Sequence, residues 1–248
     1  MSTIVRRTLR NLPVLLALAA LLAWGSRSAH TTPVVWDTRP AMTTRCMLDS
    51  PASAAGYAAL WDTIPVSQWG AADLSISVPL ADGRAVWLYG DTLSTGRFVH
   101  STAITQDAGC VRVSHAGAQL LPNDDATHIY WIESAKAIRG GLAIRARSVV
   151  LTGTGAWAFK DGGFSRIATA RVDSLGNVTF ASWGTKIISP EPNSGPLYPL
   201  PGECHFGYAK HTHPEATLAS GKTLVTMAQN WDCGQHPLSD YRPLWSEQ

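Results

Sequence analysis

The sequence predicts an exported, all-β domain, and three observations carry that reading. A basic stretch precedes an apolar one at the N-terminus, short alternating apolar runs are broken by glycine-rich turns, and no 11-residue window holds a convincing 3.6-residue period. Many short antiparallel strands joined in this way suit a β-propeller, a sandwich or a barrel. Pattern alone does not choose among them; tryptophans scattered at intervals of tens of residues are compatible with one aromatic anchor per blade of a propeller.

Taken in order, Arg6, Arg7 and Arg10 precede the uncharged run Leu12 to Trp24, the layout of a signal peptide ending near Ala29. The run has 13 residues, whereas a membrane-crossing helix needs about 20. Residues 1–29 are therefore read as a signal peptide or, if uncleaved, as an N-terminal anchor, with no other stable membrane insertion. Their removal takes away four of the 20 Lys and Arg and none of the 18 Asp and Glu, so a net charge of +2 becomes −2. The remaining basic residues form no cluster that would track phosphates, and nucleic acid is not an expected partner.

Residues 30–60, rich in Pro, Thr, Ala and Ser, read as a linker or extended arm, and residues 61–248 as the β domain. Within it, Leu74 to Leu80 and Ala85 to Asp91 are two apolar, alternating strands joined by a tetrad whose Asp82-Gly83 favours a tight hairpin. Similar signals predict turns at Asp161-Gly162-Gly163, at residues 174–177 and at residues 219–222. Four cysteines in an exported chain read first as disulfides, and the expected pairs are Cys46 with Cys110 and Cys204 with Cys233. Short Cys-x-x-Cys spacings are absent, so neither a zinc site nor a cofactor is expected, which leaves only a structural calcium open.

Asp73 lies just before the first hairpin strand and Asp91 just after the second, so both carboxylates meet at the open end of the hairpin. Whether they share a face depends on a bulge, because a one-residue slip reverses every side chain. Two carboxylates flanking a sugar linkage are what glycosidic cleavage requires: one protonates the leaving oxygen, and the other attacks C1 or activates water. No nucleophile elbow, His-Glu-x-x-His pair, phosphate-binding loop or dinucleotide fingerprint competes with this reading.

The string WGAADLSISVPLADGRAVWLYGDT from Trp69, HSTA at His100 to Ala103, HPEATLASGKTLV from His213 and YRP at Tyr241 to Pro243 together resemble an actinobacterial propeller family. That family was first catalogued as a domain of unknown function and later assigned as endo-D-arabinanases. The resemblance implies a five-bladed propeller that hydrolyses D-arabinofuranosyl linkages in arabinogalactan or lipoarabinomannan. It also implies catalysis by Asp73 and Asp91 and a cell-envelope polysaccharide as partner of a monomeric, secreted or envelope-associated protein. The apolar LYGD context favours Asp91 as the general acid, because burial raises a carboxyl pKa, with Asp73 as the ionised partner.

Other residues are candidates for substrate contact. His211 and His213 face the same side of a strand, with Glu215 two positions on, and His213 and Glu215 suit a sugar hydroxyl. Arg242, beside Tyr241, suits a substrate oxygen or a structural pin in equal measure. His100 is placed to hydrogen-bond a catalytic carboxylate. Trp131 is a candidate for stacking on sugar, and Trp87 fits better in the core.

Overall fold

A computed structural model describes residues 44–114, 118–153, 158–188, 198–199, 205–231 and 238–248. The signal peptide, the first part of the predicted arm, Cys204 and Cys233 lie outside the described residues. The chain runs β1 (Arg45–Cys46), α1 (Ala54–Asp62), β2 (Ala71–Ala72), β3 (Ile76–Pro79), β4 (Ala85–Tyr89), β5 (Thr92–Ser94), β6 (Arg97–Val99), β7 (Thr102–Asp107), β8 (Cys110–Ser114) and β9 (His128–Ile138). It continues with β10 (Gly141–Leu151), β11 (Phe159–Val172), β12 (Val178–Ile188), β13 (Tyr198–Pro199), β14 (His205–His213), β15 (Leu224–Trp231), a 3-10 turn at Leu238–Tyr241 and β16 (Leu244–Glu247).

The fold is all-β and antiparallel. The described strands form four sheets, ordered β1-β8-β7-β4-β3, β12-β11-β10-β9, β13-β14-β15-β16 and β2-β5-β6. Among the described residues these sheets close neither a barrel nor a ring of five blades. The predicted hairpin is present: Ile76 pairs with Leu88 and Pro79 with Ala85, and Gly83 takes the positive φ that the turn demands.

Strand β4 shows how the core is divided. Trp87 and Tyr89 face a cluster built on Tyr57, Leu60, Trp61 and Trp69, whereas Val86 and Leu88 face a second cluster with Tyr130, Leu142 and Ile144. Alternation along one strand thus feeds two cores, so the sheet is buried on both faces. At its inner edge β3 packs against β9 on the second sheet and against β14 on the third. That convergence positions the site.

Two expectations need correction. Part of the predicted arm is folded: β1 pairs with β8, and α1 places Tyr57, Leu60 and Trp61 in the first core. Nine residues are too few to show in an 11-residue window, and a helix of this length depends on tertiary packing. The Ser53 hydroxyl caps it by accepting from the Gly56 N–H. Asp161-Gly162-Gly163, in turn, is no turn but an irregularity within β11, where the register against β10 shifts between Arg147 and Val149. Gly163 supplies the positive φ there, and Gly162 lies so close to Ser148 that a Cβ would collide with it. The turns at 174–177 and 219–222 do separate strands.

Cys46 and Cys110 are bonded across the β1–β8 pair, as expected. The bridge closes a separation of 64 residues, which in the chain-entropy view stabilises by about 4 kcal/mol. No helix among the described residues is long and apolar enough to cross a membrane.

Candidate active site

Asp73 and Asp91 stand opposite one another where the β3–β4 ladder ends. The pairing of Ile76 with Leu88 and that of Ala72 with Thr92 share one register, so continuity puts 73 across from 91. Between them the ladder is disturbed. The Asp73 N–H donates to the Asp91 carbonyl at 2.8 Å, whereas the Asp73 carbonyl accepts from Gly90 at 2.9 Å, one residue out of step. Leu74 absorbs the mismatch with φ of 61°, a left-handed conformation that costs a non-glycine residue about 1 kcal/mol or more. The disturbance adds no residue to either strand, so it is a local distortion of the ladder beside the two aspartates and not the inserted-residue bulge considered from the sequence.

The two carboxylates differ in environment. Asp73 keeps some contact with solvent, yet protein surrounds it on most sides, and its Oδ1 accepts the hydroxyl proton of Tyr208 from β14. Burial pushes its carboxyl up to about 7; the Tyr208 donor works against that rise, and the nearby negative charge of Asp91 adds to it. The Tyr208 hydroxyl is pushed far above its usual range by burial and by Asp73, so it stays a donor. Tyr208 is itself aimed by a bulge: Ala209 has φ of 47°, and the β14–β15 register shifts between Tyr208 and His211.

Asp91 Oδ1 accepts twice, from His100 Nδ1 at 2.9 Å and from the Trp131 indole Nε1–H at 3.0 Å. With Asp91 Oδ1 as the acceptor, His100 Nδ1 is the ring nitrogen that carries a proton. Trp131 comes from β9 and packs edge-on against Phe159, with ring centres 4.6 Å apart. Three sheets therefore contribute to one rim: the first supplies the aspartates, the second Trp131 and the third Tyr208.

The remaining candidates fall elsewhere. His213 is fully buried between Ser77 Oγ (2.5 Å from Nδ1) and Thr226 Oγ1 (2.6 Å from Nε2), and its ring lies 4.6 Å from that of Trp87. Burial, with His211 beside it, lowers its pKa to about 3, so it is a neutral core histidine and is closed to substrate. Glu215 accepts from Ser77 and faces a cavity of about 370 Å³ whose lining, including Tyr57, Arg84 and Gln106, contains neither aspartate. Among the described residues no group of three His, Cys, Asp or Glu is arranged to hold a metal ion.

Arg242 is buried and committed to the main chain. Its guanidinium donates to the carbonyls of Ile64 and Trp69, both at 2.7 Å, to those of Trp61 and Gly70, and to Asp62. It is a pin joining the C-terminal turn to the segment after α1, and no donor is left for a substrate oxygen. Tyr241 ends the 3-10 turn beside it, partly exposed. Trp87 is a core residue whose indole donates to Gln106 Oε1.

Sequence reasoning missed Tyr208 and the hydrogen-bonding role of Trp131. No signal in the sequence marks Tyr208, which lies 135 positions from its partner.

No protein-family model matches the chain, and no curated protein matches it. Among solved structures it aligns with one described as a "putative hydrolase" from Bacteroides ovatus ATCC 8483, at 12% identity and a TM-score of 0.48, over 85% of this chain and 96% of that one. Likeness of that degree supports no inference about fold or activity.

Proposed function

We propose that the protein is a glycoside hydrolase that cleaves D-arabinofuranosyl linkages in mycobacterial-type arabinogalactan or lipoarabinomannan, outside the cytoplasm. The observation that carries this reading is the pairing of a carboxyl raised to about 7 with an opposed carboxylate held by two donors. Two acids whose environments push them apart can divide the roles of acid and base at neutral pH. The choice of arabinan rests on the sequence strings around Asp73, Asp91, His100 and Tyr241.

The roles run opposite to those the LYGD context favours. Asp73 is the general acid: with Tyr208 donating to Oδ1, its proton sits on Oδ2, from which it passes to the glycosidic oxygen as that bond breaks. The carboxylate left behind still accepts from Tyr208. Asp91, fixed by His100 and Trp131, attacks C1 or takes a proton from the attacking water.

A five-bladed propeller is part of the same proposal. The first sheet carries a core on each face, as stacked blades do, and β3 packs against both β9 and β14, so that three sheets meet there. A non-catalytic carbohydrate-binding module is the rival reading.

The test is incubation of the exported form with mycobacterial arabinogalactan and chromatography of released oligosaccharides, beside Asp73→Asn and Asp91→Asn. Release by wild type, with loss of about 10²- to 10⁴-fold in folded Asp73→Asn, supports the reading. Retained polymer binding with no release by wild type transfers the site to the binding-module reading.

A further inference from the structure

We propose that Phe98 is a stacking platform for the sugar unit that adjoins the one processed at Asp73 and Asp91, so that its ring forms a binding subsite beside Asp91. This rests on the carbohydrate reading above and extends it to a residue that the catalytic pair does not use.

Phe98 sits on β6, at the outer edge of the three-stranded sheet β2-β5-β6, and 63% of it is exposed. A single exposed phenylalanine needs no explanation on its own. Its position supplies one. The Phe98 ring meets His100 edge-to-face, with centres 5.4 Å apart and planes at 85°, and His100 Nδ1 is 2.9 Å from Asp91 Oδ1. One imidazole therefore separates the exposed phenyl from the carboxylate. Trp131, paired with Phe159, donates to the same oxygen, so two aromatic pairs are linked to Asp91.

The platform is held firmly. Ser94 pairs with Arg97 across a two-residue turn in which Thr95 and Gly96 both have positive φ, at 51° and 71°. This is the turn whose twist matches a tight hairpin, and it fixes the strand that carries Phe98. The apolar C–H face of a sugar ring suits a phenyl face, and an aromatic with two side-chain torsions gives contact area at low entropic cost.

The experiment measures binding of arabinan oligosaccharides by calorimetry to the full exported chain carrying Asp73→Asn, with and without Phe98→Ala or Phe98→Trp, beside steady-state kinetics of the single Phe98 variants. Stacking predicts about tenfold weaker binding for Phe98→Ala, rescue by Phe98→Trp, and a rise in KM that exceeds the fall in kcat. Because Phe98 is exposed, thermal melts should be unchanged by the Phe98 substitutions within each background, and they check folding. If wild type cleaves arabinan but Phe98→Ala binds as Phe98 does, the platform is wrong and the hydrolase reading stands. If wild type does not cleave, yet binding depends on Phe98, the hydrolase reading falls and the platform stands. Absence of binding in every variant overturns both.

Discussion

Tyr208 donates its hydroxyl proton to Asp73 from a strand 135 positions away, and so ties the third sheet to the end of the first at the most perturbed carboxyl of the described rim. The bond favours the ionised form of Asp73, whereas burial and Asp91 favour the protonated form. Burial wins, and the competition sets the expected behaviour of the site.

Activity should fall as pH rises through about 7, because Asp73 must hold its proton to act as the acid. A pH profile of kcat/KM on arabinan reads this directly. An alkaline limb absent up to pH 9 would remove Asp73 from the acid role.

Tyr208→Phe removes the one hydrogen bond that opposes the rise. The Asp73 pKa should climb further, and the alkaline limb should move to higher pH. Transition-state support for the departing carboxylate is lost too, so kcat should drop about tenfold. An unmoved limb would show that the tyrosine does not contact Asp73 in solution.

Asp73→Asn should stabilise the fold at pH 8 and do little at pH 4. The native pKa of about 7 lies above the usual carboxyl value of 3.8, so the native state holds a proton that the unfolded chain releases between those limits. Stability of the wild type therefore declines as pH rises from about 4 to 7 and levels off above, by a few kcal/mol at most. Denaturant titrations across that range should find the variant flat. A wild type equally flat would contradict the raised pKa.

Arg242→Met should cost about 2–4 kcal/mol, because four carbonyls lose a buried donor. Thermal unfolding measures the loss. Turnover per folded molecule should be nearly unchanged, which separates a pin from a substrate contact.

Replacing Cys46 and Cys110 together with serine should lower stability by about 2–4 kcal/mol while leaving the site intact. Equal melts for the variant and for the oxidised wild type would mean that the bridge contributes nothing.

What the sequence made legible was local. Alternating strands around Asp82-Gly83 encode their own hairpin, and the hairpin alone brings Asp73 to Asp91. The β1–β8 disulfide followed from the cysteine count read together with the expected export signal. What stayed hidden was long-range or below the length of a pattern: a nine-residue helix held by its packing, a glycine pair that bends a strand instead of ending it, and two partners, Tyr208 and Trp131, delivered by other sheets. The LYGD string describes the neighbours of Asp91 along the chain, whereas its hydrogen-bond partners, His100 and Trp131, come from elsewhere in the sequence.

His213 acts as a spacer that does not respond to acid. It bridges Ser77 on β3 and Thr226 on β15, and it stays neutral until pH drops to about 3. His213 itself therefore keeps one charge state while Asp73 gains or loses its proton near 7. The link between Ser77 and Thr226 is thus held by a neutral ring while Asp73 titrates.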